Sequence, residues 1–263
     1  MESTTVTFDG PGALPLSSLE QLVDLAKGQP PERQRGLLIG VADLYRSVGG
    51  SDRAPSALAD AFIALVRAAE ADIRRALSER LADADWAPPG LVRMLAADAI
   101  EIARPVIAAS PLLQDDDLLK LLAQTSLDHQ VQIALRPGLS VAVARAILKA
   151  DDPTVLTALA SNRTAALDAE DMSRLVDRAR ELAALRAPLS RHPHMTPDLG
   201  ARLYQWVGEA LRQAIMERFT LDPARLAEAA RAAAREATSP DIAAARLVAV
   251  SYTHLTLPTK RIV

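Results

Sequence analysis

Residues 136–150 read RPGLSVAVARAILKA, residues 164–178 read TAALDAEDMSRLVDR, and residues 192–206 read HPHMTPDLGARLYQW. Laid one above another, they put Leu139-Ser140, Leu167-Asp168 and Met195-Thr196 in one column, each pair 28 residues after the last. An apolar residue followed by Ser, Asp or Thr marks a helix start, because the side-chain oxygen accepts an N–H that the first turn leaves without a partner. Beyond each cap, apolar residues recur about three and seven positions on: Val143 and Ile147, Met172 and Leu175, Leu199 and Leu203. That spacing is one stripe of an amphipathic helix, so one core-facing helix is written three times. Leu113, Asp115 and Asp116, followed by Leu118, Leu119 and Leu122, form a fourth copy at a slightly shorter interval.

A shorter helix precedes each capped one and ends at a corner. Val131–Leu135 runs into Arg136-Pro137-Gly138, Val155–Ala160 into Asn162, and Leu182–Leu189 into His192-Pro193. Proline or asparagine there stops the helix and redirects the chain. One unit, a helix, a corner, a capped helix and a return, takes roughly 26 to 30 residues, within the range of helical solenoid units. The pattern predicts an all-α protein, an α-α superhelix whose units bury a continuous core.

Outward from the repeats, residues 1–13 read as a flexible lead-in and residues 14–50 as a helical pair. Ser17 and Ser18 cap its first helix, which carries Leu19, Leu22, Val23 and Leu25 and stops at Gly28, Pro30 and Pro31. The second runs from about Glu32 to Val48, and Gly49-Gly50-Ser51 forms a loop. Residues 51–218 hold the repeats, opening with Pro55-Ser56 and a helix bearing Leu58, Ala61, Phe62, Leu65 and Val66, and residues 219–249 form C-terminal helices. Val250–Val263, Thr-rich and without helical period, resembles the translated read-through of a sequencing adapter. It reads as a non-native tail that truncates the last helix and replaces the true C-terminus.

Composition narrows the function classes. The 263 residues are 49% hydrophobic, enough for a continuous core, and only 3% aromatic, which favours helix over sheet. The absence of cysteine excludes disulfides, thiolate nucleophiles and thiolate metal sites, and suits an intracellular setting. Met1–Leu14 has no basic residue and no apolar run of export-signal length, and apolar stretches such as Leu37–Val41 and Ile242–Val250 fall far short of a bilayer span. The expectation is a cytoplasmic protein with no membrane partner. A net charge of −3, from 30 basic and 33 acidic side chains interspersed along the helices, argues against a nucleic-acid partner.

A second set of residues bears a family likeness. Ile73-Arg74-Arg75-Ala76-Leu77, Pro88, Leu91-Val92, Leu95-Ala96, the run Ile100–Val106, and Ser110-Pro111-Leu112-Leu113 before Asp115–Asp117 resemble the bacterial family called domain of unknown function 2336, found mainly in alphaproteobacteria. The likeness spans residues 60–220 and is most specific from Glu101 to Pro111. The resemblance implies a HEAT-like or leucine-rich-variant-like helical superhelix, with no established activity, ligand or catalytic residue.

Candidate chemistries are few. His192 and His194, two residues apart on a turn with Asp198 nearby, lack the third His or the Cys that closes a zinc site, and Pro193 accounts for the corner. His129 reads as a capping or surface residue with no nucleophile beside it. Asp115–Asp117 and Asp168, Glu170 and Asp171 sit in first helical turns, where exposed N–H groups and the helix dipole favour negative charge. Asp115–Asp117 lacks the alternation, glycine and terminal glutamate of a calcium loop, and Gly49-Gly50 has no following Lys-Ser or Lys-Thr. Tyr204 and Trp206 read as core, with Trp206 continuing the stripe of Leu199 and Leu203; an anchor for a partner is the other reading. No cofactor, metal or catalytic residue is expected.

Arg145, Arg174 and Arg202 lie five or six residues after their caps and 29 and 28 residues apart, with Lys149 and Arg178 one turn further on. In a stacked superhelix they would form a row, either an ordinary solvated face balanced by Asp171, Asp177 and Asp198, or a ladder for an acidic or phosphorylated segment of another protein. Together these features predict a non-catalytic protein-protein interaction module. A nucleic-acid-binding HEAT-like protein and an enzyme of unrecognised type are the alternatives.

Overall fold

A computed structural model describes residues 29–50 and 56–219, with isolated positions at 226 and 231. The readings of residues 1–13, of the first helix of the 14–50 pair and of 250–263 fall outside these, as do nearly all of the 219–249 helices. Every regular element among the described residues is helical, and the chain divides into two compact units, one ending at Leu167 and one beginning at Asp168, inside the stretch 51–218.

The first unit holds α1 (Pro31–Ser47), α2 (Ser56–Ala68), α3 (Ala71–Leu81), α4 (Pro89–Ala96), α5 (Ile100–Ala109), α6 (Asp115–Gln124), α7 (Leu127–Ala134), α8 (Val141–Ala150) and α9 (Pro153–Ser161). Helices of odd number pack in succession, α1 on α3, α3 on α5, α5 on α7 and α7 on α9, while α2 packs on α4 and α6 on α8. Sequence neighbours join the two rows, as α4 joins α5 and α8 joins α9. Leu91, Leu95, Ile107, Ile133, Leu139, Ile147, Leu156 and Leu159 are buried in this unit. At the start of the row the backbone of Gly50, at φ 61°, passes so close to Trp86 that an added Cβ would lie 2.7 Å from its Cβ.

The second unit holds α10 (Ala169–Arg178), a 3-10 turn (Ala183–Leu185), α11 (Arg186–Ser190), α12 (Pro197–Tyr204) and α13 (Glu209–Phe219). Helix α10 packs on α11 and α12, and α11 and α12 pack on α13. Met172, Leu175 and Leu203 are fully buried.

The three caps stand where the sequence places them. Ser140, Asp168 and Thr196 precede α8, α10 and α12, and each side chain accepts from the backbone N–H three residues on. At Asp168 the arrangement is reciprocal, since the Asp171 carboxylate accepts from the Asp168 N–H, and Asp117 does the same for Gln114 at the start of α6. The expected Leu182–Leu189 helix starts late: residues 183–185 are a 3-10 turn, and the Arg186 guanidinium donates to the Ala179 and Arg180 carbonyls at the end of α10. Trp206 is half-buried and off the stripe, because α12 ends at Tyr204 and the chain turns before Trp206.

The corners carry bonds that helix periodicity does not announce. Arg136 donates from Nη1 to the Ile107 carbonyl at 2.5 Å and from Nη2 to the Ser110 carbonyl at 2.6 Å. Asn162 donates from Nδ2 to the Ala134 and Arg136 carbonyls at 2.8 and 2.7 Å. In the second unit Arg218 donates to the Ser190 and His192 carbonyls at 2.5 and 2.8 Å. In all three, a side chain spans back 26 residues to one corner carbonyl and 28 or 29 residues to another. Helix C-termini leave carbonyls without intrahelical partners, and these side chains supply donors to them. The corners at Ser110, Asn162 and His192 also brace themselves: Ser110 Oγ, Asn162 Oδ1 and His192 Nδ1 accept from the N–H two residues on.

Candidate interaction surface

The capped helices carry the basic residues singled out in the sequence. In the first unit Arg145 and Lys149 are exposed one turn apart on α8, on the side away from buried Val143, Ala144 and Ile147. In the second, Arg174 is exposed on α10 and pairs with Glu170 at 2.5 Å, one turn back on the same helix. Arg178 pairs with Glu181, and Arg202 on α12 reaches α10, where it binds the Asp177 carboxylate and, at 2.9 Å, the Ser173 hydroxyl. The structure thus brings Arg174, Arg178 and Arg202 together in one unit and places Arg145 and Lys149 in the other. Of the carboxylates expected to balance them, Asp177 does so; Asp171 is buried and serves its cap. Exposed pairs of this kind contribute about 0–1 kcal/mol, so a competing carboxylate or phosphate can displace them at little cost.

Two of the histidines among the described residues are buried. His129 is buried rather than on the surface: Nδ1 lies 2.8 Å from the hydroxyl of Ser126, the N-cap of α7, and Nε2 lies 2.8 Å from the Asp98 carbonyl. Since a carbonyl only accepts, Nε2 carries the proton. His192 is fully buried and His194 packs edge-on to it, ring centroids 5.4 Å apart. No cluster of three or more His, Asp or Glu able to hold a metal occurs among the described residues. Tyr204 is half-buried under the Arg212 guanidinium, 5.2 Å from the ring centroid.

A second polar centre was not foreseen. Arg74 on α3 grips Asp98, at the start of α5, through Nε at 2.6 Å and Nη2 at 3.1 Å, and also donates to the Ala69 carbonyl. Burial works to raise the Asp98 pKa, but the Arg74 hydrogen bonds, the Ala99 N–H and the Arg74 charge outweigh it and hold the carboxyl below its ordinary value. Because the folded value lies below the unfolded one, this stabilisation is present above the unfolded pKa of about 3.9 and is lost as pH falls through the folded value. In a thermal titration from roughly pH 6 to 2, the wild type should lose more stability than Asp98→Asn. Parallel curves would remove the assignment. Burial also draws the Arg136 guanidinium below its ordinary value, opposed by attraction to Asp115.

These elements define a class, an all-α protein of capped helix pairs whose corners are tied at a near-constant sequence interval. Residues 102–258 match the family model described as an uncharacterised protein conserved in bacteria, DUF2336. The match spans more than half of the chain, and the chain belongs to that family. It begins later than the likeness read from the sequence and runs further, into the Thr-rich segment. No curated protein and no solved structure matches the chain. No helix among the described residues is long and apolar enough to cross a membrane.

Proposed function

We propose that the chain is a non-catalytic, cytoplasmic helical-repeat module, built as a HEAT-like α-α superhelix, that binds an acidic or phosphorylated segment of another protein. The observation that carries the reading is the recurring corner bond, side chain to carbonyls 26 and 28 or 29 residues back, at Arg136, Asn162 and Arg218. A frame that repeats its internal bonds leaves matching outer positions to repeat as well, which is how solenoids build extended surfaces. Arg145, Lys149, Arg174, Arg178 and Arg202 occupy such positions, and a guanidinium fork suits carboxylate and phosphate.

The test is the triple variant Arg145→Glu, Arg174→Glu, Arg202→Glu, compared with the wild type by co-purification from bacterial cells. Arg145 and Arg174 are exposed, and each substitution there should cost no more than about 0.5 kcal/mol; Arg202 is half-buried and tied to Asp177 and Ser173 on α10, so Arg202→Glu lowers the unfolding midpoint further, and far-UV dichroism verifies that the triple variant folds. A reproducible partner that the variant loses supports the reading. A partner retained equally by both moves the site elsewhere, and steeply salt-dependent retardation of RNA or DNA by the wild type replaces it with nucleic-acid binding.

A further inference from the structure

The even-numbered helices of the first unit form a row, in which α2 packs on α4 and α6 on α8. A groove of about 160 Å³ joins the two halves: Arg93 and Ala97, at the end of α4, face Asp117, Lys120 and Leu121 of α6 across it. Arg93 lies 3.9 Å from the Asp117 carboxylate, which also accepts from the Gln114 N–H, so the guanidinium is held loosely and stays exposed. Lys120, on the other wall, is exposed and joins no carboxylate among the described residues. The same holds for Arg67 on α2 and Lys149 on α8, at the two ends of the row. Each of the four cations sits in the second half of its helix, on the side away from the buried residues, and they follow one another at 26, 27 and 29 residues. The helix dipole favours the three in the last turns of α2, α4 and α8, but Lys120 stands before the last turn of α6 and still keeps the register.

Two turns and one odd helix separate each even helix from the next, so the even helices run the same way and their cations fall in line about 10 Å apart, the distance between packed helices. A polyproline II segment has three residues per turn and rises about 3.1 Å per residue, so every third side chain leaves one face about 9 Å from the last. A nucleic-acid strand carries a charge about every 3.4 Å, roughly three times as dense as the row. We infer that the acidic segment proposed above lies along α2, α4, α6 and α8 in polyproline II conformation, with an acidic side chain at every third residue for Arg67, Arg93, Lys120 and Lys149. The inference rests on that reading and adds the path and the spacing of the segment.

The probe is a labelled peptide of four Glu-Pro-Ala repeats, titrated with the full chain and read by fluorescence anisotropy at physiological salt. Its controls are a peptide of the same composition with the glutamates in one block, and a single-stranded oligonucleotide of equal length. Arg93→Gln with Lys120→Gln should weaken binding of the periodic peptide at least about tenfold. Arg35→Gln with Arg104→Gln removes the same charge from exposed positions on α1 and α5 and should change it less than about twofold. The block peptide should bind at least several-fold more weakly than the periodic one. Equal loss from the two double variants, or a block peptide bound as tightly, would overturn the path while leaving an acidic partner in place. An oligonucleotide held more tightly than the peptide replaces the segment with nucleic acid. If the wild type does not bind the periodic peptide, the inference fails and the co-purification above decides the partner reading alone. Far-UV dichroism of each variant verifies folding, and Lys120→Gln with Lys149→Gln, which leaves the Asp117 pair intact, repeats the test should the first double variant misfold.

Discussion

Asn162→Asp should be among the most damaging single changes available in the first unit, costing about 3 kcal/mol or more. The Asn162 amide is buried and donates to two carbonyls, Ala134 and Arg136, while its oxygen accepts from the Thr164 N–H at 3.1 Å and from the Thr164 hydroxyl at 2.8 Å. The substitution keeps the shape and the acceptor but removes the donor. Two carbonyls then lose their partner and face a carboxylate, and each buried unpaired group costs about 1–3 kcal/mol. Asn162→Ala should cost less, about 2–4 kcal/mol, since it removes the bonds without adding a charge. Denaturant titration of both variants checks the order. An Asp variant no less stable than the Ala variant would show that the amide does not hold the corner.

That corner also marks the limit of sequence reading. The caps at Ser140, Asp168 and Thr196 were legible because capping is local: the donor lies three residues from the acceptor. The buried stripe was legible for the same reason, through a period within one helix. The bonds of Arg136, Asn162 and Arg218 join residues 26 to 29 apart, and nothing within one helix reports them. A signal was present at repeat level. Ser110-Pro111, Arg136-Pro137 and His192-Pro193 each put a polar residue before a corner proline, and 110, 136 and 162 are evenly spaced. Read as helix breakers, these residues gave the position of the turn and hid their second role.

His129 failed similarly. Its place near the start of α7 suggested a cap, and its ring does reach Ser126, but the bond to the Asp98 carbonyl, 31 residues earlier, buries it. The basic residues were legible as positions and not as a surface. Whether an exposed arginine is paired depends on which carboxylate a neighbouring helix presents, as Asp177 on α10 meets Arg202 on α12. Arg174 with Glu170 could have been read from the sequence, since four residues separate them on one helix.

Leu175→Ala should cost about 2–5 kcal/mol, the range for truncating a leucine in a packed core. Leu175 is wholly buried on α10, and the residues in the same column of the repeat alignment, Ile147 on α8 and Leu203 on α12, are 1% and 0% exposed in their own units. The loss has two sources: methyl groups no longer withdrawn from water, and a cavity that the surrounding side chains can close only in part. Leu175→Met keeps the volume and should cost under about 1.5 kcal/mol, which separates packing from a specific requirement for leucine. Leu44, 51% exposed on α1, supplies the contrast, and Leu44→Ala should stay within about 0.5 kcal/mol. Chemical denaturation with an unchanged slope gives all three values. If Leu175→Ala costs no more than Leu44→Ala, the stripe that defines the repeat is not the core.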